Sequence, residues 1–180
     1  MKKKIFISVG VLILLIVLVL SRVNVENLEY VSKYSEKNAN DIRADFDDVV
    51  VCIFSTDCSG NPRTIPILKN TIEVLKKQNI PYLVIADETY NDGVDTALDQ
   101  FKKEYSFDET FYLMDRKSYP NNSGIFNIKG RYKSFILDLC KKKEEEFLFG
   151  YVNYVIVKND QYVLQTPLIA EKELMLFEDN

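Results

Sequence analysis

VVVCIFSTDCSGNPRTIPILKN, Val49 to Asn70, sets an apolar run against a tight polar corner and then a helical pattern. Val49 to Phe54 is β-branched or apolar throughout, the composition of a strand covered on both faces in a largely parallel sheet. Asn61 followed by Pro62 reads as a helix start, with Asn as N-cap and Pro at the first helical position, where its missing N–H costs nothing. Ile65, Leu68, Ile72 and Leu75 then recur on one face as far as Gln78. Cys58 stands at the corner between strand and helix, so this stretch also poses the functional question: is the thiol a working one or a remnant?

Working outward, Tyr82 to Ala86 predicts a second strand, closed by the loop DETYNDG. Asp92 or Asp95 is placed to cap a second helix whose buried stripe is Val94, Ala97, Leu98, Phe101 and Tyr105. Phe111 to Met114 reads as a third short strand, SYPNNSG as turn material, and Ile128, Tyr132, Phe135, Ile136 and Leu139 as a third helix. That helix closes in the charge run Lys141 to Glu146, a solvated face. Val152 to Val157 and Tyr162 to Gln165 are strand-like, joined by Lys158-Asn159-Asp160-Gln161, whose central pair tolerates the positive φ of a tight hairpin. Glu173 to Phe177 suits a terminal helix. Alternating strands and helices followed by an antiparallel hairpin predict an α/β fold, a mixed central sheet with helices on both faces.

Composition narrows the chemistry. At 180 residues, with 47% apolar and 12% aromatic residues, the chain fits one packed domain with a short appendage. Its 23 basic and 27 acidic side chains are interspersed and sum to −4, which leaves no basic footprint for nucleic acid. There is no His, and Cys52, Cys58 and Cys140 are not at metal-ligand spacing, so a zinc site or an imidazole triad has nothing to work with. The acidic loop Asp87, Glu88, Asp92, Asp95 lacks the regular ligand positions of a calcium loop and reads as a solvated turn. No metal and no cofactor is expected.

Lys2, Lys3 and Lys4 precede an uncharged stretch, Ile5 to Leu20. As a helix it rises about 24 Å, slightly short of a ~30 Å hydrocarbon core. Its length and the poor cut site at Val19 to Ser21 favour an uncleaved anchor over a secretory signal, which stays the alternative. Lysines retained in the cytoplasm place the rest of the chain outside it. The organisation expected is therefore a membrane segment at 1–21, a polar stem at 22–47, whose weak helical spacing at Leu28, Val31 and Tyr34 suits a tether or a short surface helix, and one domain at 48–180.

These residues resemble the thioredoxin superfamily, in particular its extracytoplasmic TlpA-like and ResA-like branch, which is typically membrane-tethered. In that family an apolar strand leads to a Cys-x-x-Cys corner, the second Cys opens a helix, and a Pro follows the first Cys by eight residues. Val49 to Phe54, Cys58 and Pro66 fall at those places, and a helix and strand inserted before the final hairpin also fit the branch. The resemblance spans about Asp48 to Gln165. It implies a thioredoxin-like sheet flanked by helices, preceded by the membrane helix, with the attacking sulfur at Cys58. Asp57, Ser59, Gly60, Asn61, Arg63, Val152 and Asn153 would surround a protein or peptide partner, with Tyr151 and Tyr154 near the groove.

Two departures matter. Asn61 stands where the family has its second, resolving Cys, giving CSGN, and Val152 stands where it has its cis-Pro. A cis peptide before a non-Pro residue costs about 2.5 to 4 kcal/mol, so a trans bond and an altered groove are expected there. A lone thiolate at a helix start attacks a disulfide and holds the mixed disulfide, but release then needs an outside thiol. Asp57 beside it disfavours the charged sulfur and Arg63 partly offsets that. Cys52 is no substitute resolver, since six extended residues span up to about 20 Å against the ~4.4 to 6.8 Å a disulfide allows between Cα atoms. Cys52 reads as an inert buried thiol, and Cys140 as another unless the fold brings it to Cys58 or to a second chain. Two functions follow: a degenerate oxidoreductase relative that binds a protein or peptide partner, or a monothiol oxidoreductase or isomerase that uses Cys58 and an external thiol.

Overall fold

In a computed structural model the described residues are 29–120, 130–141, 152–159, 161–166 and 177. The membrane segment expected at 1–21, Tyr151 and most of the expected terminal helix lie outside them. Ten elements follow in order: β1 (Glu36–Lys37), α1 (Ala39–Asp45), β2 (Val49–Phe54), α2 (Asn61–Lys77), β3 (Tyr82–Ala86), α3 (Val94–Tyr105), β4 (Phe111–Met114), α4 (Gly130–Cys140), β5 (Asn153–Lys158) and β6 (Gln161–Thr166).

They build one six-stranded sheet in the order β1-β4-β3-β2-β5-β6. β1, β4, β3 and β2 run parallel, while β5 is antiparallel to β2 and β6 to β5. Buried on both faces, β2 feeds its side chains alternately into two apolar layers. Val50, Cys52 and Phe54 enter a layer completed by Ile65, Leu68, Ile72 and Leu75 of α2 and by Val94, Leu98 and Phe101 of α3. Val49, Val51 and Ile53 enter the opposite layer, completed by Ala39 and Ile42 of α1 and by Tyr132, Phe135, Ile136 and Leu139 of α4. The first layer is rich in rings: Phe54 packs 4.9 Å from both Phe101 and Phe111, centroid to centroid. The sheet is thus mixed and covered on both faces, as the pattern predicted. Among the described residues no helix is long and apolar enough to cross a membrane.

The stretch expected as a polar stem behaves differently. From Glu29 onward it packs onto the domain. β1 extends the sheet beside β4, and α1 opens with a capping box between Asn38 and Asp41 and buries Ala39 and Ile42. Upstream, Asp95 of α3 accepts from the Ser32 hydroxyl and the Lys33 amide, and Asp99 from Lys33 Nζ and the Tyr34 hydroxyl. Two buried positions in seven residues give too weak a period to place the short helix at Ala39–Asp45, and nothing in the composition marks the strand before it.

Two caps also differ. Gly60, not Asn61, is the N-cap of α2, and Gly93, not Asp92 or Asp95, is the N-cap of α3. Asp95 is drawn away by Ser32 and Lys33. The hairpin is as expected, with Asn159 at φ 52° in the left-handed region.

Candidate functional site

β2 ends at Phe54 and the chain turns through Ser55 to Gly60 before α2 begins. The turn closes on itself: the Cys58 amide donates to Ser55 O at 3.4 Å, and the Asn61 amide donates to Cys58 O at 3.0 Å. Arg63 and Thr64 amides then donate to Gly60 O, starting the helix. Cys58 is partly exposed, and Asp57, Ser59 and Arg63 are exposed around it. A Cβ on Gly60 would sit 3.5 Å from Cys58 Sγ, an ordinary contact, so space there does not demand glycine.

Asn61 is not the simple cap that its sequence position suggested. It is the first residue of α2 and only 2% exposed. Its carboxamide donates to Ser55 O and to Thr56 O, each at 2.9 Å. Two carbonyl acceptors fix the amide's orientation, because only the NH2 end can face both. The group standing where the family has its second sulfur therefore ties the cysteine turn to the helix.

The other side of the turn is held by Glu88, which with Asp87 corrects the reading of this loop as a solvated turn. Glu88 is 7% exposed, and its Oε1 accepts from the Thr56 amide. Burial pushes its carboxyl up to about 7, with Asp57 and Asp87 pushing the same way and the Thr56 bonds opposing. Arg131, at the start of α4, reaches across: Nε lies 3.0 Å from Asp87 Oδ1, and a second nitrogen donates to Glu88 O. The placement of Glu88 follows from strand register, which the sequence alone does not show. β2 and β3 are parallel with Phe54 opposite Ala86, so two residues beyond each strand Thr56 meets Glu88.

Val152 and Asn153 do lie at this end of the sheet, since β5 is antiparallel to β2 and Asn153 pairs with Ile53. Both side chains are buried, so neither presents its side chain to a groove. Tyr154 is buried too, within the layer that contains α2. The peptide bond ahead of Val152 involves Tyr151, outside the described residues. All three cysteines are thiols. Cys52 is fully buried and burial pushes its thiol up, in keeping with an inert role. Cys140 is buried in the layer that holds α1 and α4, and it forms no disulfide with Cys58. Among the described residues no cluster of carboxylates and thiols is arranged to hold a metal ion.

No family model matches the chain, and no curated protein matches it. Among solved structures it is similar to the thioredoxin domain of a thiol-disulfide oxidoreductase from Bacteroides vulgatus, with 14% identity over 75% of this chain and 81% of that one, at a TM-score of 0.45. A thioredoxin-like superfamily protein gives 14% over 76% and 80%, at a TM-score of 0.46. A thiol:disulfide interchange protein from Bacteroides sp. gives 13% over 74% of each chain, at a TM-score of 0.44. The order of elements speaks for itself: strand, cysteine corner, helix, parallel strand, an inserted α3–β4, helix, antiparallel hairpin. The fold is a mixed sheet with helices on both faces, in the element order that the thioredoxin resemblance implies. Within this frame the corner carries one sulfur, at Cys58, and an amide, at Asn61.

Proposed function

We propose that this is a membrane-tethered, extracytoplasmic thioredoxin-like protein of the TlpA-like and ResA-like kind, engaging a protein or peptide partner at the Cys58 corner through a mixed disulfide that it does not resolve unaided. The observation that carries this reading is the partly exposed Cys58 at the head of α2, with the buried carboxamide of Asn61 in the resolving position. The Cys58 thiolate attacks one sulfur of a partner disulfide, a new S–S bond forms to Cys58, and the partner's other sulfur leaves as thiolate. Asn61 brings no second thiolate, so an external thiol must attack to release the partner. The tether rests on Lys2 to Lys4 and the apolar stretch Ile5 to Leu20.

Trapping mixed disulfides in native envelopes, wild type against Cys58→Ser, tests it. Adducts present in the wild type and missing from Cys58→Ser support the reading; identical patterns overturn it. A purely non-covalent partner module is the second reading, favoured by how firmly Asn61 fixes the turn. It predicts partner binding that survives Cys58→Ser in full.

A further inference from the structure

The backbone of Thr56 is gripped from two sides by side chains of two different elements. Its N–H goes to the Glu88 carboxyl beyond β3, and its C=O accepts from the Asn61 carboxamide on α2. The neighbouring Ser55 O is taken by Asn61 as well, and by the Cys58 amide. Ser55 to Cys58 is the short span on which the thiol stands, and its carbonyls at 55 and 56 are tied by a buried amide rather than by a sheet or helix ladder. Neither Glu88 nor Asn61 has a place in the thiol chemistry itself.

We propose that Glu88 and Asn61 are the positioning residues of the Cys58 site, clamping Thr56 between them so that the thiol is held in one attitude for exchange. The inference rests on the reading of Cys58 as the exchanging thiol. No proton passes between Glu88 and sulfur in this arrangement; the carboxyl acts on the thiol's position through the Thr56 amide. An ionised carboxylate holds that amide more strongly than a protonated one, because charge-assisted hydrogen bonds are roughly twice as strong as neutral ones. The clamp therefore tightens as Glu88 loses its proton. The charged groups set about Glu88 are Asp57 on the turn, Asp87 beside it, and Arg131 of α4, which is bonded to Asp87 and to Glu88 O.

The test is the rate at which the full-length chain in detergent reacts with 5,5′-dithiobis(2-nitrobenzoate), from about pH 5.5 to about pH 8.5. Cys58 becomes a mixed disulfide and one coloured aryl thiolate leaves. Cys52 and Cys140 are buried, so the fast phase reports Cys58. The wild type is expected to show, besides the thiol's own titration, a second inflection near neutral pH of about fivefold in rate. Glu88→Gln keeps an oxygen for the Thr56 amide and cannot ionise, so that inflection disappears. Asn61→Ala keeps the inflection and slows exchange across the whole range. Thermal melts confirm that each variant is folded. Superimposable profiles for wild type and Glu88→Gln would overturn the clamp while leaving Cys58 as the exchanging thiol. A Cys58→Ser variant that reacts as fast as the wild type would overturn both.

Discussion

Arg131 Nε lies 3.0 Å from Asp87 Oδ1, with 6% and 12% of the two side chains exposed. The pair fastens α4 to the end of β3, directly behind the corner that carries Cys58. Breaking a buried pair from one side leaves a charge without compensation, which costs about 3–5 kcal/mol. Arg131→Met is expected to lose about that much in urea unfolding. Replacing both partners, Arg131→Met with Asp87→Leu, should recover most of it, since an apolar pair of similar volume is often as stable as a buried ion pair. A double variant no better than the single one would show that Arg131 acts through its bond to Glu88 O instead.

Glu88 makes stability depend on pH in a direction opposite to most carboxylates. Its value rises from the ordinary 4.5 to about 7. Between those values the folded protein keeps a proton that the unfolded chain has released. Stability contributed by the neutral carboxyl is therefore full below about pH 4.5, falls as pH rises toward 7, and is flat above. The swing is on the order of 3 kcal/mol, at about 1.36 kcal/mol per pH unit of that window. Glu88→Gln should match the wild type in acid and melt higher at pH 8; equal melting temperatures at both pH values would contradict this.

Asn61→Cys restores a second sulfur at the first residue of α2, three positions after Cys58. The turn already brings the residue 61 amide within 3.0 Å of Cys58 O, so the backbone is compact enough for the bridge. Release of reduced insulin chains by the prereduced protein, with no other thiol in solution, is expected to be absent in the wild type, which stops at the mixed disulfide, and to appear in the variant. A variant in which Cys58 forms no bridge to the introduced sulfur would show that the turn is shaped for the amide.

The segment before β2 belongs to the folded unit, and Ile42 is the position that measures it. Ile42 is fully buried against α4 and the sheet. Truncation to Ala should cost about 2–5 kcal/mol, as in other cores. A stem residue would give a change within about 0.5 kcal/mol. Denaturant titration separates the two.

The strands were legible because each is a closed apolar run. Val49–Phe54, Tyr82–Ala86 and Phe111–Met114 have in the structure the bounds their composition implies, since parallel strands covered on both faces admit no polar residue and polar turns end them. The helical stripes were equally plain, with Leu68, Leu98 and Phe135 among the residues that face the sheet. What composition hides is competition between distant partners. Asp95 looked like a cap until Ser32 and Lys33 claimed its oxygens, and Asn61 looked like a cap while its amide served the turn behind it. Glu88 looked solvated because burial there comes from α4 and the cysteine turn, neither adjacent in sequence. Cys58 was found by its place after β2; the residues that hold it needed the register of β2 against β3.

Cys52 and Cys140 sit on opposite sides of the sheet, each shut away from water. An alkylating reagent reaches either only when its own half of the molecule opens. In a Cys58→Ser background the sequence in which the two are labelled is a clock native to the chain, reading which half gives way first without any introduced probe.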